Sequence, residues 1–343
     1  MKIFNISGSA FHIGEALGQL GKAAWHCKIK HTALWKQLQP FQDSLYMLEL
    51  KKKVQNDFPD IWQEIMGLAK GLDESVMTVF LWNCRGDVLS STADGCTTII
   101  GTDTAGNMLV AHNEDGLPEL MDDCFLANVT TENGASFLSF AYPASLCGHT
   151  FSVNCFGIVN TVNNLRIKNR TMGYPRQVLA REVLNKTDIQ EVVDTLLYPR
   201  SGGFHHTLVQ KKLGKPTSSI CIEAINKQSN VRIIESIGLH ANHVVYKTFD
   251  AQIITTSSQE RQSRLESIFS QKKYITPLDC LQALSDTQNA EFPIYRTSEH
   301  DSDNENTIAT IIFTVQEGKV SWELYGQDRN GCENKGEVGL FSE

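Results

Sequence analysis

The hydrophobic periodicity of this chain changes at Cys96, and that change limits the folds open to it. Before it, apolar residues recur at helical spacing: Ile13, Ala16, Leu17 and Leu20 in one segment, and Phe58, Ile61, Trp62, Ile65, Met66 and Leu68 in a second from about 45 to 72. A third, shorter helix follows, with Ser75 as its N-cap. From Cys96 onward the chain reads as strands. Residues 97–102 and 108–112 flank a turn at 103–107, and further strands are expected at 124–130, 136–142, 150–155 and 158–162. Two helices at 175–184 and 188–197 interrupt the series. Strands resume at 206–210, 219–225, 231–236 and 241–246, helices at 258–269 and 277–284, and a last hairpin at 308–325. Strands, a helix pair, strands, helices and strands again make an α+β layout, with stacked sheets and helices outside.

At 343 residues the chain is long enough for one large domain or two ordinary ones. A net charge of −8 without a long basic run argues against nucleic acid as a partner. No stretch approaches the roughly 20 apolar residues of a membrane span, and residues 1–10 lack the apolar core of a signal peptide. Nine scattered cysteines, an odd number, then point to reduced thiols and a cytoplasmic location. There is no CxxC pair. His240 and His243 stand at H-x-x-H spacing and His205 adjoins His206, but no Cys or Glu framework accompanies them. They read as structural or substrate-side histidines, and neither a metal nor another cofactor is expected. A zinc-dependent hydrolase using His240 and His243 is the weaker third reading.

Gly95–Cys96 sits at the change of pattern. Cys96 read alone is a buried residue opening a core strand, since free cysteine is among the most buried types. Read chemically, a cut before Cys96 would put a thiol and an α-amine on one residue. An α-amine titrates near about 7.7–8.0 and could take the thiol's proton. His112-Asn113-Glu114-Asp115-Gly116 ends the next strand, so Asp115 comes close to Cys96 if the two strands pair; the other reading is an ordinary strand-ending turn. Asn154, Asn160, Asn163 and Asn164 crowd a strand-turn region and read mostly as turn caps. Asn242, between two histidines in an apolar strand, is either a bulge residue or a side-chain amide for an oxyanion. Arg296, before an acidic run at 299–305, either binds an anionic group or makes a surface ion pair.

Taken in order, these residues resemble the penicillin acyltransferase family, acyl-coenzyme A:6-aminopenicillanate acyltransferase and its relatives, the C45-type cysteine peptidases. Asp94-Gly95-Cys96-Thr97-Thr98 resembles the family's processing site most sharply. The segment from Ser7 to Gly18, His112-Asn113-Glu114-Asp115, Asn154-Cys155-Phe156-Gly157-Ile158 with Asn163-Asn164-Leu165, His240-Ala241-Asn242-His243 and Arg296 follow the family order across nearly the whole chain. The resemblance implies an N-terminal-nucleophile hydrolase fold, an αββα sandwich of two antiparallel sheets between helical layers. It implies self-cleavage between Gly95 and Cys96, with 1–95 retained as a mainly helical small subunit and 96–343 as the catalytic segment of one integrated domain. It makes Cys96 the nucleophile, Asp115 the support for its amine, Asn242 an oxyanion donor, and Arg296 and His243 substrate-side residues. The expected activity is hydrolysis of a small N-acyl amide through a thioester. The alternatives are transfer from an acyl thioester, or an uncleaved protein that only binds an acyl compound. Glu114 departs from the aromatic residue of the penicillin enzyme's motif, which sets penicillin substrates apart from the expectation.

Overall fold

Helix signals in the first quarter of the chain are strong and are realised with their caps. The structure, a computed structural model, describes residues 1–90 and 95–339. Strand β1 (Ile3–Gly8) leads into α1 (Ala10–Cys27), whose N-cap Ser9 accepts from His12 N. Next come α2 (Ala33–Leu38), α3 (Leu45–Asp57), α4 (Pro59–Leu72), α5 (Val76–Asn83) and the single turn α6 (Arg85–Val88). The segment expected from about 45 to 72 is therefore two helices. Phe58 leaves helical geometry at φ −135°, ψ 58°, and Pro59, which has no N–H to donate, opens the second helix. Helices α1 and α4 meet through glycines. A Cβ at Gly67 would lie 1.9 Å from Phe11 O, and one at Gly14 1.9 Å from Glu64 O, so no side chain fits at this crossing.

Strands β2 (Gly95–Thr102) and β3 (Met108–Gly116) form the expected hairpin, each longer than its apolar run. Then come β4 (Phe125–Thr131), β5 (Ser136–Ala141), β6 (Phe151–Asn154), β7 (Val159–Asn164), α7 (Arg176–Glu182) and α8 (Ile189–Leu196). They are followed by β8 (Gly203–Gln210), β9 (Ser218–Ile225), β10 (Gln228–Ile233), β11 (Gly238–His240), α9 (Thr256–Phe269), α10 (Pro277–Leu284), β12 (Asn306–Gln316), β13 (Lys319–Tyr325) and β14 (Asn334–Gly339). One sheet has eight strands in the order β1-β4-β5-β6-β7-β8-β9-β10, the other six in the order β11-β2-β3-β12-β13-β14. Only β1–β4 pairs in parallel; the other pairs are antiparallel.

The sheets stack face to face. Phe151 of β6 lies 6.5 Å from Phe313 of β12, centroid to centroid, in one continuous core that also takes in α1, α4 and α5. The outer face of the six-stranded sheet packs Ile99, Leu109 and Ala111 against Leu265 and Phe269 of α9 and Cys280 and Leu284 of α10. The result is the α+β sandwich with helical layers outside, the N-terminal-nucleophile hydrolase architecture.

Residues 1–90 belong to this sandwich. β1 extends the eight-stranded sheet beside β4, and buried Arg181 of α7 grips Glu64 of α4 with Nε at 3.0 and 2.9 Å from the two carboxylate oxygens. No helix is long and apolar enough to cross a membrane among the described residues. All nine cysteines are free.

The strand expected at 241–246 does not form. β11 ends at His240, and the backbone N–H groups beyond it go to side chains. Ala241 N donates to Gln262 Oε1, Asn242 N to Ser258 Oγ, Val244 N to Gln252 Oε1 and Val245 N to Glu223 Oε1. A segment whose donors are taken by four different side chains has none left for a ladder.

Candidate active site

β2 and β3 pair so that Gly95 stands opposite Asp115 and Cys96 opposite Glu114. Side chains alternate across a strand, so these two pairs face opposite ways. On the inner face, between the sheets, Cys96 Sγ lies 3.6 Å from Glu114 Oε2, and His112 Nε2 lies 3.2 Å from the same oxygen. Tyr142 donates to Glu114 Oε1 at 2.9 Å. Cys96 and Glu114 are each 3 % exposed and His112 is fully buried.

The hydrogen bonds fix the His112 tautomer. Asn163 Nδ2 donates to His240 O, so its Oδ1 is the acceptor that Thr98 Oγ1 meets at 2.8 Å. With its only proton so used, Thr98 accepts at 2.8 Å from His112 Nδ1–H. His112 Nε2 is then the ring nitrogen that faces Glu114 Oε2 at 3.2 Å. Burial pulls the His112 imidazole down to about 3, so it is neutral at ordinary pH.

On the outer face, Arg261 of α9 donates to Cys96 O at 2.8 Å, to Thr97 Oγ1 at 2.9 Å and to Asn242 Oδ1 at 2.7 Å. The same Asn242 oxygen accepts Cys96 N–H at 3.0 Å, while Asn242 Nδ2 donates to Asn164 O at 3.1 Å. Asn242 thus presents its oxygen, not its amide nitrogen, to Cys96. Asp115 is fully buried. Its Oδ1 accepts from Thr307 Oγ1 at 2.7 Å, and its Oδ2 has no hydrogen-bond partner among the described residues. Burial raises its pKa, against the pull of Arg296 and Arg261.

Arg296 makes no surface ion pair. It is 1 % exposed and committed to Asp301, Asp303 and Glu305, with Nη1 at 2.5 Å from Glu305 Oε2. This pair presses on the chain at Gly95, where a Cβ would lie 2.2 Å from Glu305 Oε2 and 2.8 Å from Arg296 Nη1. Glycine is required there by close approach, within an extended strand, and not by a tight bend. His243 bonds Ser258 Oγ through Nδ1 at 2.7 Å, and burial draws its pKa down to about 4. His240 stacks on His205 with centroids 3.5 Å apart and faces Glu223 at 3.1 Å. His240 and His243 thus point at different partners, which removes the zinc reading built on them. Asp94 of the processing-site motif lies outside the described residues.

A cleft of about 620 Å³ ends near the Gly95 side of this cluster. Leu34, Leu117 and Pro118 supply its apolar lining, and Arg166 is its one cation among the carboxylates of Glu119, Glu299, Asp303 and Glu305. Arg166 Nη2 holds Glu305 Oε1 at 3.0 Å; its Nε and Nη1 have no hydrogen-bond partner among the described residues. Arg261, Arg166 and Tyr142 were not singled out in the sequence, and Thr98 was named only as part of the processing-site motif. Arg261 sits in a polar helix where charge is expected on a wet face, and only packing against β2 turns it inward.

Two antiparallel-rich sheets stacked between helices, with a cysteine at the start of a central strand, define the class: an N-terminal-nucleophile-type fold. The chain belongs to the acyl-coenzyme A:6-aminopenicillanic acid acyl-transferase family, whose profile matches residues 102–330, about two thirds of its length. The matched span begins after Cys96. Membership supports acyl-transfer or amide-bond chemistry at the level of the family. No curated protein matches the chain.

Proposed function

We propose that this protein is a self-processing N-terminal cysteine amidohydrolase that cleaves a small N-acyl amide through an acyl-enzyme thioester. The observation that carries the reading is the setting of Cys96: its sulfur 3.6 Å from Glu114 Oε2 and its nitrogen held by Asn242 Oδ1 at 3.0 Å. In self-cleavage the thiol adds to the Gly95 carbonyl and its proton passes toward Glu114. The C–N bond breaks as the Cys96 nitrogen takes a proton, and water then hydrolyses the thioester, freeing the Gly95 carboxylate and the thiol. The new amine stays on Asn242 Oδ1 and serves as the base in turnover. Segment 1–95 remains attached through β1 and the Glu64–Arg181 pair.

The cleft volume suits a small ligand. The acyl transfer for which the family is named favours the second reading, transfer from an acyl thioester to an amine. Intact-mass spectrometry tests the first step: two fragments divided before Cys96 are expected. Incubation with N-acyl amino acids and with coenzyme A thioesters, followed by mass analysis of Cys96, separates the two donors. An undivided chain that forms no acyl-enzyme with either donor sinks the proposal.

Asn242→Ala removes the group that holds the Cys96 nitrogen and, if its amide turns from Asn164 O, an oxyanion donor. Its kcat is expected to fall by about 10²–10³-fold. A loss under threefold in steady-state kinetics refutes the assignment.

A further inference from the structure

We propose that Cys96, His112 and Glu114 form a zinc site, and that a zinc ion there reversibly blocks the thiol. The three ligand atoms, one sulfur, one nitrogen and one oxygen, lie within 4.8 Å of one another. Bonds of about 2.3 Å to sulfur and about 2.0 Å to oxygen and nitrogen set the edges of a tetrahedron at roughly 3.5 Å for S···O and roughly 3.3 Å for N···O. The structure has 3.6 Å for Cys96 Sγ to Glu114 Oε2 and 3.2 Å for His112 Nε2 to Glu114 Oε2. Three protein ligands leave a fourth position for water.

The supporting shell is also that of a metal site. Thr98 accepts from His112 Nδ1–H, which frees Nε2 as a ligand, and Tyr142 holds Glu114 Oε1, which leaves Oε2 for the ion. A thiolate and a carboxylate neutralise the two charges of zinc, so the buried assembly carries no net charge. Binding displaces the thiol's proton and forms Zn–S, Zn–N and Zn–O bonds. The blocking role rests on Cys96 being the nucleophile; the binding site does not.

The test uses the full-length chain, stripped with chelator and titrated with Co²⁺. One equivalent is expected to give a near-ultraviolet thiolate-to-cobalt band, which Zn²⁺ abolishes. Cys96→Ala should lose the band, and Thr98→Val, which keeps all three ligands, should bind about 10–100-fold more weakly. Circular dichroism confirms that each variant is folded. Stoichiometric Zn²⁺ should stop acyl-enzyme formation and chelator should restore it. A band unchanged in Cys96→Ala places the metal on exposed Cys27 or Cys332 and overturns the site, as does the absence of any band. A bound ion that leaves turnover unchanged overturns the blocking role. A chain that never cleaves itself but shows the Cys96-dependent band refutes the proposed function and leaves the zinc site standing.

Discussion

Cys96→Ala is expected to purify as one chain of 38.3 kDa, where the wild-type protein gives two, and to lose turnover by about 10⁴–10⁶-fold. The substitution removes one sulfur from a buried position and leaves the backbone bonds of residue 96 to Asn242 and Arg261 intact. The small void costs about 1 kcal/mol, so the variant remains folded and its failure reports on chemistry. The size of the loss follows from what goes with the sulfur: the atom that forms the thioester in turnover and the atom that opens the Gly95 carbonyl. Because the two depend on one atom, they must vanish together. A Cys96→Ala chain that still divides before residue 96 removes the sulfur from self-processing. A variant that stays whole yet keeps turnover assigns the chemistry to another residue.

Acid is expected to unfold the protein cooperatively below about pH 5, through two buried histidines of β8. His205 and His206 are fully buried on β8, and burial holds both pKa values well below 6.5. Each donates Nδ1–H to an asparagine, His205 to Asn163 and His206 to Asn160 at 3.0 Å, and each has an Nε2 without a hydrogen-bond partner among the described residues. A proton there would put a charge in the core. The unfolded chain takes up these protons near pH 6.5 and the folded chain does not. Their contribution is therefore fully present above pH 6.5 and is lost as pH falls. Each histidine removes about 1.4 kcal/mol per pH unit, so two units of acid below pH 6.5 cost about 6 kcal/mol together, the whole stability of a marginal domain. Urea unfolding at pH 7, 6 and 5 checks this, and His206→Gln should lower the slope by one proton. A wild-type stability that is flat from pH 7 to pH 5 rules the mechanism out.

Much of the site was legible because it lies on one hairpin. Two short apolar runs and a five-residue turn bring Gly95–Cys96 opposite Glu114–Asp115 by local pairing alone. What sequence could not supply was the face on which each residue falls, because a register shifted by one would exchange Glu114 and Asp115. Asp115 was expected beside the nucleophile on the hairpin, and the register puts it across from Gly95. Glu114, which looked like a departure from a motif, is the carboxylate that meets the sulfur. The strand expected at 241–246 misled for a related reason: its apolar residues are buried, but side chains of α9, β9 and a nearby loop take its backbone donors. Arg296 was visible as a charge, yet only the fold shows that it is spent on three carboxylates.

The sequence by itself determined the layers, the helix caps, the central hairpin and the cysteine at its start, because each depends on periodicity or on neighbours a few residues away. Tertiary structure alone decided the surroundings of that cysteine. Arg261 comes from 165 residues downstream of Cys96 and Asn242 from 146, and Asn163 reaches Thr98 across the gap between the sheets. Contacts of that separation depend on how two sheets stack, and stacking is set by the shape of the whole core, which no local pattern encodes.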